Sequence, residues 1–251
     1  MGTLENTVGR GGQRTYSVRS LHGQVVHALG RRIVSGQVAV GAILPIETEL
    51  GTEFKVSRTA LREGIKVLAA KGLLSSRTRT GTRVRPRSDW NMLDPDILAW
   101  RLETGQIEGF VQDLYEFRQG VEPMAAALAA ERATDQEITD MHVALDDMAA
   151  AGGDVQASIE PDLRFHNLIL RSSRNELFAS LGSMIETAFA FSFQLAVHET
   201  KIEAVDVHRA VCEAISARDP IAANAAMIGL LDFSCEWNNS VLQQLESNKV
   251  P

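Results

Sequence analysis

The sequence predicts two fold classes in one chain: a small N-terminal α+β module followed by an all-α antiparallel helical bundle. Three observations carry this. Residues 1–88 hold 15 Lys and Arg against 5 Asp and Glu, a balance of +10, and residues 89–251 hold 10 against 27, a balance of −17, which together make the net −7 of the chain. Within the basic part, helical patterning gives way after Gly72 to two short extended runs around an Arg-rich tip. From Asp94 onward, apolar residues recur at helical spacing and no strand alternation appears.

In the basic module, Leu21, Val25, Val26, Leu29, Ile33 and Val34 recur at intervals of three and four, so Ser20 to Ser35 reads as an amphipathic helix ended by Gly36. Gly41 to Pro45 is a loop, and Glu47 to Phe54 a short acidic helix with Leu50 and Phe54 on one face. The Ser57 hydroxyl can cap the next helix, Arg58 to Lys71, whose buried stripe is Ala60, Leu61, Ile65, Leu68 and Ala69. Its first turn presents Arg58, Thr59 and Arg62, residue types that reach phosphates and guanine edges from a major groove. Leu73 to Ser76 and Thr82 to Arg85 form two strands around the tip Arg77 to Gly81, completing a winged helix-turn-helix. Arg77, Arg79 and Arg83 of the wing suit phosphate or the minor groove. A pair of arginines alone reads as a solvated face; the capped helix start, the basic wing and the local charge together point to DNA.

The acidic part reads as six long helical segments, Ile107–Ala133, Asp135–Ala150, Asp162–Ser172, Leu177–Val197, Glu203–Ala217 and Pro220–Leu245. Helices of this length form a bundle, whose interior is a common place for a ligand or metal. Asp162 and His166 lie one turn apart, and His208 falls on the inward stripe of a later helix. An Asp and two His suit zinc, manganese, nickel or iron. The plain alternative is a pair of packed histidines with Asp162 capping its helix after Pro161. His22, His27, His142 and His198 read as surface or packing residues, and Phe189, Phe191 and Phe193 as core or dimer contacts.

With 251 residues, 45% apolar and 23% charged, the chain has globular composition, which excludes wholesale disorder and fibrous classes. The most apolar stretch, Ile185 to Val197, carries Glu186 and Gln194 and falls short of the ~20 residues a bilayer requires. The first sixteen residues are polar, read as a floppy tail without a secretory core, and lead us to expect a cytoplasmic protein. Cys212 and Cys235 lack metal-binding spacing and read as free thiols.

The run Gly41-Ala-Ile-Leu-Pro45-Ile-Glu47-Thr-Glu49-Leu50, then Phe54 to Glu63, Leu68, Gly72-Leu73 and Gly81 to Val84, resembles the DNA-binding domain of the GntR superfamily of bacterial regulators. The resemblance implies DNA contacts at Thr48, Ser57, Arg58, Thr59 and Arg62 and at the wing residues Arg77, Arg79 and Gly81; Thr48 replaces a basic residue found in some members. Arg118 to Pro123, Asp162-Leu-Arg-Phe165-His166, Asn175 and His208 to Ile215 with Asp219 resemble the FCD effector domain of the FadR-like branch. That likeness implies a divalent metal, zinc first and manganese or nickel next, on Asp162, His166 and His208. Leu230 stands where a last His falls in that family. Asp89 to Trp100 resembles the linker helix of a sugar-acid-responsive branch that also lacks this His, while reading equally as a docking helix with Trp90, Leu93 and Trp100 packed between domains.

The expected organisation is a tail over 1–16, a winged helix-turn-helix over 17–88, a linker helix over 89–104 and an effector-binding and dimerisation domain over 105–251. The expected function is a homodimeric repressor on a palindromic operator, released by a small carboxylate such as galactonate or a related aldonate or uronate. Effector contacts are expected from Arg118, Asp162, His166 and His208, with the planar Arg118 fork on the carboxylate. Two alternatives differ in class. A metal-dependent enzyme fused to a DNA anchor lacks a nucleophile and base or a second carboxylate beside Asp162, His166 and His208. An acyl-CoA-responsive regulator needs an apolar tunnel where these three polar residues stand.

Overall fold

The computed structural model describes residues 16–17, 19–77, 81–105, 109–182 and 202–247. Residues 12–108 form one compact unit and residues 109–251 build a second. Among the described residues, no helix is long and apolar enough to cross a membrane.

In the first unit, α1 (Leu21–Val34) starts where the Ser20 hydroxyl accepts from the Gly23 amide at 3.1 Å. Helix α2 spans Glu47–Glu53 and α3 spans Arg58–Ala70, with Ser57 accepting from the Ala60 amide at 3.2 Å. Helices α1 and α3 pack closely because Gly64 has no Cβ; one built there would lie 2.9 Å from Val25. Strands β1 (Leu74–Arg77) and β2 (Gly81–Val84) pair antiparallel, Leu74 opposite Val84. Val25, Val26, Leu29, Leu61, Leu68, Leu73 and Val84 close the core.

A 3-10 turn at Arg87–Asp89 leads to α4 (Pro95–Glu103), capped by Asp94 through the Asp96 and Ile97 amides at 3.0 and 3.3 Å. This helix packs on α1 within the same unit. Trp100 is fully buried against Gly30, where a Cβ would sit 2.5 Å from the indole. Trp90 is buried too, its indole N–H donating to the Arg85 carbonyl at 3.0 Å. Both tryptophans thus join the core of the first unit, while Leu93 is exposed.

The second unit contains α5 (Phe110–Arg132), α6 (Asp135–Ala150), α7 (Val155–Ser172), α8 (Glu176–Ser180), α9 (Ile202–Ser216) and α10 (Pro220–Ser247). Helix α5 packs against α7, α9 and α10 through the alanine stripe Ala125, Ala126, Ala129 and Ala130, with Phe165, Ile169, Val211, Met227 and Leu231 filling the core. Thr134 and Glu137 form a reciprocal capping box at the start of α6. Helix α7 begins at Val155, earlier than the expected Asp162, because Asp154 accepts from the Ala157 amide at 3.2 Å and Pro161 is carried inside the helix. Asp162 therefore does not cap this helix, and its carboxylate is left for another partner. The helix expected to run unbroken over Leu177–Val197 is interrupted, since α8 ends at Ser180 with Leu181 as its cap; Phe189, Phe191, Phe193 and His198 lie outside the described residues. Cys212 and Cys235 are free thiols.

Candidate functional site

In the second unit, α7 places Asp162 and His166 on one face and α9 brings His208 to the same point, with one ligating atom from each lying within 4.8 Å of the others. His208 Nε2 is 3.0 Å and His166 Nε2 3.4 Å from Asp162 Oδ1. Phe165 packs in T-shaped contact with both imidazoles, with centroids 5.7 and 5.4 Å away. The helical spacing of Asp162 and His166 was enough to foresee their shared face.

Each imidazole is fixed from its far side. His208 Nδ1 donates to the Ala204 carbonyl at 2.5 Å, and His166 Nδ1 donates to Glu122 Oε2 at 2.6 Å. A carbonyl and an ionised carboxylate only accept, so Nδ1 carries a proton in both rings, and each Nε2 facing Asp162 donates to it when the ring is charged or offers a lone pair when the ring is neutral. Two lone pairs and a carboxylate oxygen at this spacing repel one another unless a proton or a cation stands between them. The donor set therefore fits a divalent metal.

Glu122 is the residue that sequence reasoning missed in this role. It is a second carboxylate beside the triad, contrary to expectation, brought there by the packing of α5 on α7. Arg118, one turn earlier, donates Nε to Glu122 Oε1 at 2.5 Å and Nη2 to Oε2 at 3.3 Å, and both side chains are buried. The Arg118-x-x-x-Glu122 spacing was the available signal. Burial opposes the Glu122 charge, yet Arg118 and His166 outweigh it and hold the carboxyl down to about 2. Burial likewise opposes Asp162, whose carboxyl is nonetheless carried well below the usual range by His208 and His166. Burial disfavours a charged His166, but Glu122 and Asp162 prevail and raise its pKa. Leu230 is buried in the apolar core on α10 and offers no ligand.

On the first unit, Thr48, Ser57, Arg58, Thr59, Arg62 and Gly81 are exposed, with Ser57 capping α3 and Arg58, Thr59 and Arg62 at its start. Arg62 donates Nε to both oxygens of Glu47 at 2.9 Å, a contact that the sequence did not reveal because the partners are fifteen residues apart on different helices. Gly81 opens β2 at φ +78, which glycine adopts without strain. Arg83 donates to the Gly41 carbonyl at 2.6 Å, Arg77 lies on β1, and Arg79 falls outside the described residues.

Residues 21–84 match the family described as bacterial regulatory proteins, gntR family, and residues 113–233 match the FCD domain. The galactonate operon transcriptional repressor of Escherichia coli strain K12 is 35% identical over 219 residues, 84% of this chain and 93% of its own. The uncharacterized HTH-type transcriptional regulator YieP of the same organism is 34% identical over 221 residues, covering 87% and 96% of the two chains. Among solved structures, Lar of Listeria monocytogenes aligns with a TM-score of 0.59 at 16% identity, over 90% of this chain and 99% of its own, a likeness of fold alone. These families and relatives are regulators of transcription, not enzymes. The chain is accordingly a member of the GntR family of bacterial transcription regulators, with a GntR helix-turn-helix domain and an FCD domain.

Proposed function

We propose that this regulator is a homodimeric repressor that binds a two-fold operator and is released by a sugar acid held at a divalent metal. One observation carries the reading: Asp162, His166 and His208 converge within 4.8 Å with both histidine tautomers fixed from outside. A zinc ion there, or manganese or nickel on the same donors, supplies positive charge and open positions for a carboxylate and a neighbouring hydroxyl. Leu230 gives no fourth protein ligand, which favours an effector bound directly. The similarity to the galactonate operon repressor supports an aldonate such as galactonate as the acid, with Arg118 as the cationic wall beside it. The DNA surface is Thr48, Ser57, Arg58, Thr59, Arg62 and Gly81 with wing residues Arg77 and Arg79, and symmetric dimers suit palindromic half-sites.

An acid lowers operator affinity only through different affinities for two conformations, so its binding must favour the arrangement that fits the operator less well. The test is calorimetry with galactonate and metal analysis on the wild type, the chelated protein and His166→Ala. The expected result is acid binding that disappears on chelation and in His166→Ala. Binding of wild-type strength without metal would overturn the reading.

A further inference from the structure

Arg62 leaves the outer face of α3, opposite the buried stripe Leu61, Gly64, Ile65 and Leu68, and its side chain is 64% exposed. An exposed arginine normally samples many rotamers, and that freedom is lost when it meets a base. Here the guanidinium is already held. Glu47, the first residue of α2, takes the Nε–H between both carboxylate oxygens at 2.9 Å each. Helix α2 packs against α3, so the fold places Glu47 beside Arg62. Among the described residues, the hydrogen bonds of the Arg62 guanidinium come from Nε, and none comes from Nη1 or Nη2. The held edge is therefore Nε, and the open edge is the end-on pair that matches guanine O6 and N7.

The arrangement has an electrostatic cost. A carboxylate on the DNA-facing surface repels phosphate and weakens attraction to every duplex alike. Its compensating effect is geometric and belongs to one arginine. Lys66 offers a contrast on the same helix, since its partner Glu63 lies one turn away on α3 itself and leaves the ammonium a point charge.

We propose that Glu47 is a specificity-determining positioning residue: it fixes the Arg62 guanidinium so that Nη1 and Nη2 are presented to a guanine of the operator. The inference rests on α3 being the recognition helix. Glu47 thus raises discrimination between sequences while lowering affinity for DNA in general.

The test uses the full chain, a duplex enriched from a random library by the wild type, and a shuffled duplex of equal composition. Arg62→Ala should lose about ten-fold or more on the enriched duplex and much less on the shuffled one. Glu47→Ala should lose about ten-fold in the ratio between the two duplexes, with shuffled binding as tight as wild type or tighter. Glu47→Gln retains an acceptor for Nε–H and should keep that ratio within about three-fold. In the Arg62→Ala background, Glu47→Ala should cause no further loss on the enriched duplex. If Arg62→Ala loses discrimination and Glu47→Ala does not, Arg62 reads DNA without help and the inference falls. If Arg62→Ala binds the enriched duplex like the wild type, or no duplex is enriched, the recognition-helix reading falls with it.

Discussion

A buried carboxylate survives only when its surroundings repay the loss of water, and Glu122 meets that condition through Arg118 on one side and His166 on the other. Its charge fixes the imidazole tautomer on which a cation would depend. Glu122→Gln keeps the volume but removes the charge, and we expect zinc affinity, measured by competition with a chelating dye, to fall ~10- to 100-fold. The same residue sets a pH dependence in the metal-free protein. Its folded pKa is lowered from 4.5 to about 2, so its contribution is complete above the unfolded value and fades as pH falls from 4.5 toward 2. The stability gap between wild type and Glu122→Gln in urea unfolding should therefore narrow between pH 5.5 and pH 3.5. His166 works in the opposite direction, since a raised pKa gives stability below the unfolded value of 6.5 that is lost as pH rises through the folded one. A gap that stays constant on acidification would mean that Glu122 is not the charged partner of His166.

At the scale of elements, the end of α3 is tied to the start of α4 by groups that tolerate little change. Lys71 is buried between Asp94 at 2.9 Å and Asp96 at 2.6 Å, while its carbonyl accepts from the Asn91 amide at 2.9 Å. Lys71→Met leaves two buried carboxylates without their cation and should destabilise the first unit by ~3–5 kcal/mol, read as a lowered melting transition. Adding Asp96→Asn should recover part of that loss; equal stability of Lys71→Met and wild type would show that the ammonium is not needed there. Local signals made most of these elements legible in the sequence. Ser57 announces its helix because its hydroxyl meets an amide only three residues away, and Ser20 and Thr134 cap theirs over the same distance. Asp162 and His166 were legible for the same reason, lying one helical turn apart. Glu122 lies 44 residues from His166 and Lys71 lies 25 from Asp96, so those pairings exist only once helices have packed. Pro161 misled because a proline reads as a helix start, whereas the Asp154 cap carries the helix through it.

Over the whole molecule, charge is divided between two tasks that salt should separate. The basic residues 1–88, at +10, include the proposed DNA-facing surface, and the acidic remainder, at −17, includes the candidate cation site. A strongly acidic domain disfavours anions, so the proposed acid effector requires local inversion of charge there, which the proposed divalent ion would provide. Phosphate contacts by the basic part release counterions, making DNA affinity a steep function of salt. With about 6–10 phosphates neutralised by the proposed dimer, affinity should fall roughly a thousandfold or more between about 50 and 200 mM salt. Asp162, His166 and His208 are mostly shielded from solvent, so the ions that screen the DNA surface reach them little. Zinc affinity should therefore change by no more than about three-fold over that salt range. Fluorescence anisotropy with a labelled duplex and dye competition for zinc, run in matched buffers, measure the two slopes. A shallow DNA slope would remove the basic module as the seat of binding, and a steep zinc slope would place the cation on exposed acidic residues instead of the buried triad.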